Sequence, residues 1–284
     1  MYKKILDFRQ KILDFINVVC PHLSFLHFQT SNLLSNIFST HIYIRMEILQ
    51  NKNVLIVGAT GGIGAETARL LHKSNANLYL TGQNAERLQA LAESLDISSD
   101  RYFTLDIADA NAVQQVAEKI ETQIGQVDIL VNAAGVGIVK PFDALTLEEF
   151  NRTIDVNLKG PFNLLKAFLP AMKAAKKGLI VNLPGVLGKT PMAGAAAYSA
   201  SKYGLNGMLK SVREELRRTE VRITNLYFGG VDTAFWDEDI DIRFDRKKFI
   251  TVKEAAKSVW FLCQQPRSGV VSELVLQPFN HQAI

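Results

Sequence analysis

Tyr198 and Lys202 stand four residues apart in Tyr198-Ser199-Ala200-Ser201-Lys202. On a helix that spacing puts both on one face. A free phenol has a pKa near ~10 and is a poor base at neutral pH. A neighbouring ammonium stabilises the phenolate and lowers that pKa. Such a pair could pass a proton to or from the oxygen of a carbonyl or alcohol. Taken alone, the same spacing also describes a solvated helix face. A second candidate is Gly58-Ala59-Thr60-Gly61-Gly62-Ile63-Gly64. Glycine lets a backbone turn sharply and approach a pyrophosphate closely. Amides at a following helix N-terminus, with the helix dipole, favour negative charge. Glycines also make ordinary turns, so the cluster carries weight only between a strand and a helix, where it marks a dinucleotide site. The five histidines are scattered and none has metal-ligand spacing near a cysteine or carboxylate pair. No metal is expected.

The elements that would hold these residues can be read from the apolar pattern. Residues 54–57 form a short apolar run, as expected for a strand buried on both faces. The glycine turn follows, then a helix over 63–74. Further strands are predicted at 78–81, 102–105, 127–131, 179–183, 222–227 and 270–276. Helices are predicted at 85–95, 110–124, 147–175 (interrupted near Pro161), 196–219 and 253–264. Strict alternation of strand and helix implies an α/β fold, a single Rossmann domain with a doubly wound parallel sheet of about seven strands and helices on both faces. Ligands of such sheets bind at the carboxyl ends of the strands where the order reverses. The glycine cluster falls at that end of the first strand.

With these motifs in order, the chain resembles the short-chain dehydrogenase/reductase family. The family pattern G-x-x-x-G-x-G is matched by Gly58, Gly62 and Gly64, and its N-A-A-G-like motif by Asn132-Ala133-Ala134-Gly135. Its long-helix Asn matches Asn157, its Y-x-x-x-K matches Tyr198 and Lys202, and its segment after the sixth strand matches Gly229 and Thr233. The resemblance runs from about Met46 to Pro278. It implies NAD(P)(H)-dependent interconversion of a carbonyl and an alcohol on a small organic substrate. Tyr198 would exchange the proton, Lys202 would also bond the nicotinamide ribose, and Asn157 would hold a water in the proton relay. Cofactor contacts are implied at Gly58, Thr60, Gly62, Ile63 and Gly64 on the first turn. Gln83 and Asp106 follow the next two strands. Asn132, Ala133 and Gly135 follow the fourth, and Gly229, Val231 and Thr233 the sixth, alongside Tyr198 and Lys202.

Departures from the family pattern bear on mechanism. The family's catalytic Ser position falls on Gly185, within Val181-Asn182-Leu183-Pro184-Gly185. Glycine has no hydroxyl with which to bond a substrate oxygen or orient Tyr198. Loss of one such donor in other enzymes costs on the order of 10²–10³ in rate. A water, a substrate group or Thr190 could take its place. Phe228 replaces a usual Pro, and Val57 a usual Thr. An acid at the end of the second strand would select NAD through the ribose 2′-hydroxyl. The chain has Thr81-Gly82-Gln83-Asn84 there. With no acid to repel a 2′-phosphate, NADP(H) is favoured over NAD(H). Residues 235–249, rich in charge and containing Trp236, read as a substrate-covering lid or as a solvated loop.

Composition bounds the remaining choices. The chain has 284 residues and a net charge of +4, which gives no case for nucleic acid. Residues 1–45 hold five basic residues against two acidic ones, so most of that excess lies outside the fold. Two unpatterned cysteines, Cys20 and Cys263, fit a reducing compartment, and a cytoplasmic location is expected. The first 45 residues contain no glycine and repeat Lys-Ile-Leu-Asp-Phe at 4–8 and 11–15. They make a poor membrane span and a poor secretory signal. They read as an unstructured leader or a start assigned upstream of Met46, with a membrane-surface anchor as the sharper reading. Residues 46–284 form the domain. A homodimer or homotetramer is implied by the family resemblance. Two other functions stay open: a nucleotide-binding sensor or interaction protein that no longer catalyses, and a dehydratase or isomerase using the same Tyr and Lys.

Overall fold

The computed structural model describes residues 47–236 and 245–279. The expectations for the leader, and for the interior of the 235–249 segment, lie outside the described residues. The strands are β1 (Asn53–Val57), β2 (Asn77–Gly82), β3 (Tyr102–Thr104), β4 (Ile129–Asn132), β5 (Gly178–Asn182), β6 (Val221–Phe228) and β7 (Glu273–Leu276). They form one parallel sheet in the order β3-β2-β1-β4-β5-β6-β7. The α-helices are α1 (Gly62–Lys73), α2 (Ala85–Glu93), α3 (Ala110–Ile124), α4 (Leu147–Ile154), α5 (Gly160–Ala174), α6 (Ala196–Glu215) and α7 (Val252–Leu262).

Alternation along each strand divides the core into two layers. Val54 and Ile56 of β1 pack with Ala68 and Leu71 of α1, Leu88 of α2 and Val259 of α7. Leu55 and Val57, pointing the other way, pack with Val113 of α3, Phe168 of α5 and Leu205 and Leu209 of α6. A strand buried on both faces must be apolar throughout, which is why β1 reads as a continuous run rather than an alternating one. The order of strands reverses between β1 and β4, which sets the crevice of such a sheet at their carboxyl ends.

Three expectations shift in detail. The long helix is not interrupted at Pro161, which lies near the N-terminus of α5 and is tolerated there. The break is a π-helical segment, Asp155–Lys159, joining α4 to α5. Such a bulge re-aims a side chain, and here it carries Asn157. Helix α6 ends at Glu215 rather than at 219, and β7 begins at Glu273 rather than 270. Among the described residues no helix is long and apolar enough to cross a membrane.

Candidate active site

The first turn is built around Gly58, whose φ of +78° suits glycine. A Cβ there would lie 2.6 Å from the Ala134 amide nitrogen, so only glycine lets the β1 and β4 loops meet. Helix α1 starts without a side-chain cap, its N-cap being Gly61. Ala65 N–H bonds the Gly61 carbonyl, and among the described residues no backbone acceptor serves the amides of Gly62, Ile63 and Gly64. By contrast α2, α3, α4 and α7 are closed by Asn84, Asp109, Thr146 and Thr251. Three free amides at a helix N-terminus fit a pyrophosphate. They adjoin a cleft with about 580 Å³ of open space lined by Gly58, Thr60, Gly82, Gln83, Ala133 and Gly135 among others.

The structure brings most sequence-derived candidates to this cleft, and leaves some beside it. Asp106 is exposed between the lining residues Leu105 and Ile107, and its carboxylate accepts the Ala108 amide at 2.9 Å. Asn132 is buried and supports the floor: its Oδ1 accepts from Ala134 N–H and its Nδ2 donates to Asn182 Oδ1. Thr233 lies over the start of α1, its Cγ2 3.1 Å from where a Gly62 Cβ would be. Val231 is buried in a bridge with Ile250, and Gly229 packs against Pro278, so neither lines the cleft. Sequence reasoning missed Leu105, Ile107, Val136 and Val156, which give the cleft its apolar wall. Their signal was present: each lies within a few residues of a strand end or motif already singled out. Gly82 was also missed. It bears no Cβ because Thr60 Cγ2 would be 2.7 Å from it.

Tyr198 and Lys202 share the inner face of α6. The Lys202 ammonium is buried, 5.3 Å from the Tyr198 ring centroid, and donates to the Leu183 carbonyl at 3.3 Å. Lys202 Nζ also lies 3.4 Å from where a Gly135 Cβ would stand, so the lysine bridges the tyrosine and the cleft. Burial pushes the Tyr198 phenol up and the Lys202 ammonium down to about 8. The expectation that Lys202 lowers the Tyr198 pKa is therefore corrected: desolvation is the dominant cause at both groups.

Asn157 is fully buried, and its amide is spent on protein. Oδ1 accepts from Val136 N–H at 2.9 Å, while Nδ2 donates to the Val136 carbonyl at 2.8 Å and to Ser201 Oγ at 3.1 Å. Ser201 in turn donates to the Tyr198 carbonyl at 2.7 Å. Asn157 thus ties the loop after β4 to the helix that bears Tyr198.

On the far side of Tyr198 the site is aromatic. Phe235 meets the Tyr198 ring edge-on, centroids 5.6 Å apart, and lies against the bare backbone of Gly137. Trp236 and Phe249 continue the cluster. Gly185 has φ +71° and ψ 166°. A Cβ there would lie 3.9 Å from Tyr198 Oη and 3.6 Å from the Phe228 carbonyl oxygen, with nothing nearer among the described residues outside its chain neighbours. Among the described residues no group of three or more His, Cys, Asp or Glu could hold a metal ion.

Comparison with known proteins gives the family. The short chain dehydrogenase family profile matches residues 52–241. An uncharacterised oxidoreductase of Staphylococcus epidermidis is 30% identical over 233 residues, covering 82% of this chain and 100% of its own. A metagenomic short-chain oxidoreductase, solved in complex with NADP, is 32% identical with a TM-score of 0.71, covering 83% of this chain and 100% of that one. An alcohol dehydrogenase of the archaeon Thermococcus sibiricus, complexed with 5-hydroxy-NADP, is 29% identical with a TM-score of 0.74, covering 82% and 99%. The chain belongs to the short-chain dehydrogenase/reductase family of oxidoreductases.

Proposed function

We propose that this protein interconverts a carbonyl and an alcohol on a small organic molecule, using NADP(H) in preference to NAD(H). The observation that carries this is the placement of Lys202 Nζ between the Tyr198 ring and Gly135 at the cleft wall. The nicotinamide would supply or accept hydride when bound. Tyr198 holds the proton for the substrate oxygen, and Lys202 bonds the cofactor's ribose and keeps positive charge beside the phenol. The free amides of Gly62, Ile63 and Gly64 take the pyrophosphate. Asn157 acts as a positioning residue by holding the Val136 loop against α6.

Support for NADP(H) is electrostatic. The cleft at the end of β2 is lined by Gly82 and Gln83, with no carboxylate to repel a 2′-phosphate. The two similar structures that hold NADP or a derivative of it are in accord. A homodimer or homotetramer in the cytoplasm is part of this proposal. Its support is the exposed apolar side chains Phe142, Leu147, Phe162 and Tyr203 on or beside α4, α5 and α6. The test is titration with NADPH and NADH, followed by a screen of ketones and aldehydes with each. Tight cofactor binding with no turnover of any carbonyl overturns the reading in favour of a nucleotide-binding sensor.

A further inference from the structure

The notch at Gly185 is bounded by three groups of different character. Tyr198 Oη lies on one side and the Phe228 carbonyl on another, 3.9 and 3.6 Å from the position of a Gly185 Cβ. The third is the Gly185 backbone itself. Apart from Gly185 and its chain neighbours Pro184 and Val186, no other atom of the described residues comes within 4 Å of that position, so there is room beside the backbone.

The Phe228 carbonyl points into it for a reason set by the sheet. On the β7 side, the bonds run from Asn225 N–H to Ser272 O and from Gly229 N–H to Leu276 O. In a parallel ladder alternate residues turn their polar groups to opposite neighbours. Phe228 therefore directs its carbonyl toward the chain leaving β5, where the register Asn182↔Asn225 carried onward sets it opposite Val186, and among the described residues no backbone N–H bonds it. Beside the proton-bearing Tyr198 the protein thus presents a carbonyl acceptor that has no hydrogen bond among the described residues.

We infer that the notch at Gly185 takes a hydroxyl group of the substrate, carried on the carbon next to the reacting carbonyl. The inference rests on the proposed carbonyl–alcohol activity and names its substrate class: α-hydroxy ketones and aldehydes, with vicinal diols in the reverse direction. The substrate hydroxyl donates to the Phe228 carbonyl, and the adjacent carbonyl oxygen accepts from Tyr198 Oη. Reduction adds hydride from the reduced nicotinamide to the carbonyl carbon and the Tyr198 proton to its oxygen, giving a vicinal diol and oxidised nicotinamide. A ketone without the second oxygen leaves the Phe228 carbonyl facing an apolar group, and a buried acceptor without a partner is costly. A site built around a substrate hydroxyl rejects the analogue that lacks it more sharply than an apolar pocket rejects a missing methylene.

The test is a matched substrate series on the full chain with NADPH. Hydroxyacetone, acetone and methoxyacetone form one set; 2-hydroxyacetophenone, acetophenone and 2-methoxyacetophenone form another, suited to the aromatic wall at Phe235. The methoxy compounds keep the electron withdrawal of the hydroxyl but cannot donate. In at least one set, kcat/KM for the hydroxy ketone should exceed both others by at least about tenfold, the loss expected for one unmade hydrogen bond to a buried acceptor. Equal rates for hydroxy and methoxy ketones overturn the inference, as does equal turnover of plain ketones, which would mean that water fills the notch. Either result leaves the carbonyl–alcohol reading intact. Turnover of none, with NADPH bound, overturns both. Gly185→Ser gives a second readout: its own hydroxyl should raise plain-ketone turnover and lower that of hydroxy ketones. An unchanged hydroxy-to-plain ratio in a folded Gly185→Ser protein refutes the assignment, and if that variant does not fold the substrate series decides alone.

Discussion

Replacing Asn157 with Ala separates two accounts of that residue. The family resemblance makes it the holder of a relay water, whereas its contacts make it a clamp. The clamp consists of three hydrogen bonds at 2.9, 2.8 and 3.1 Å, two of them to the N–H and C=O of Val136. Truncation leaves both backbone groups of a partly buried residue without their partner and opens space in the fully buried position of Asn157. Each abandoned group costs about 1–3 kcal/mol, with the lower end apt where water can enter. Ser201 keeps its bond to the Tyr198 carbonyl, so that loss is smaller. The expected destabilisation is about 2–4 kcal/mol, or roughly a 4–15 °C fall in Tm for a domain of this size. Val136 and Gly135 line the cleft, so the same change should weaken NADPH binding. Urea unfolding gives the first quantity, and fluorescence titration of NADPH the second. A variant that keeps its urea midpoint and cofactor affinity while losing turnover would refute the clamp and restore the water-holding role. Asn157→Asp sharpens the comparison, because a carboxylate can accept from Val136 N–H but cannot donate to its carbonyl.

Four further outcomes are expected. Tyr198→Phe should lower kcat by about 10²–10⁴ and leave the NADPH dissociation constant within about twofold, measured by steady-state kinetics and titration. Gly185→Ala meets no atom nearer than 3.6 Å, so its cost is conformational: about 1–3 kcal/mol for a side chain at φ +71°, ψ 166°, seen as a lower Tm. An unchanged Tm would place that backbone elsewhere. Lys202 has a folded pKa of about 8 against 10.5 when free, so between those values the unfolded chain binds more protons and stability rises with pH. Carrying the charge below pH 8 costs roughly 3 kcal/mol, and Lys202→Met should become the more stable protein at neutral pH without cofactor, its advantage fading toward pH 10. Light scattering at micromolar concentration should give a dimer or tetramer, and a monomer would refute the proposed assembly.

How far the fold could be read in advance follows from the physics of each element. A parallel sheet covered on both faces leaves strands as unbroken apolar runs, so β1, β2 and β5 were plain in the sequence. The crevice was equally plain, because glycine spacing records where two backbones must touch, as at Gly58 and Ala134. Less legible was the π-helical break at Asp155–Lys159: Pro161 offers an obvious local cause for an interruption, but a Pro near a helix start breaks nothing. The break carries Asn157, which bonds the backbone of Val136, 21 residues earlier, a long-range contact that no local pattern announces. Asp106 and Val231 were read from their place after a strand: the first is exposed beside the cleft with one oxygen bonded to the Ala108 amide, and the second is buried and bridged to Ile250.

The Tyr198–Lys202 pair shows where spacing misleads about energy. Four residues on a helix guarantee proximity, and proximity of an ammonium to a phenol argues for a lowered pKa. Yet Lys202 is buried and Tyr198 half-buried, and desolvation penalises the charged form of each. The cofactor-free site therefore favours a neutral phenol with its proton in place, which is the state required to donate to a carbonyl oxygen during reduction. Oxidation of an alcohol needs the opposite state, and the pair must first give up a proton that burial holds on Tyr198. On this ground kcat for oxidation should keep rising with pH across the alkaline range, while kcat for reduction should stay level until Lys202 begins to lose its charge near pH 8. Parallel pH profiles in the two directions would show that the phenol is not the group being titrated.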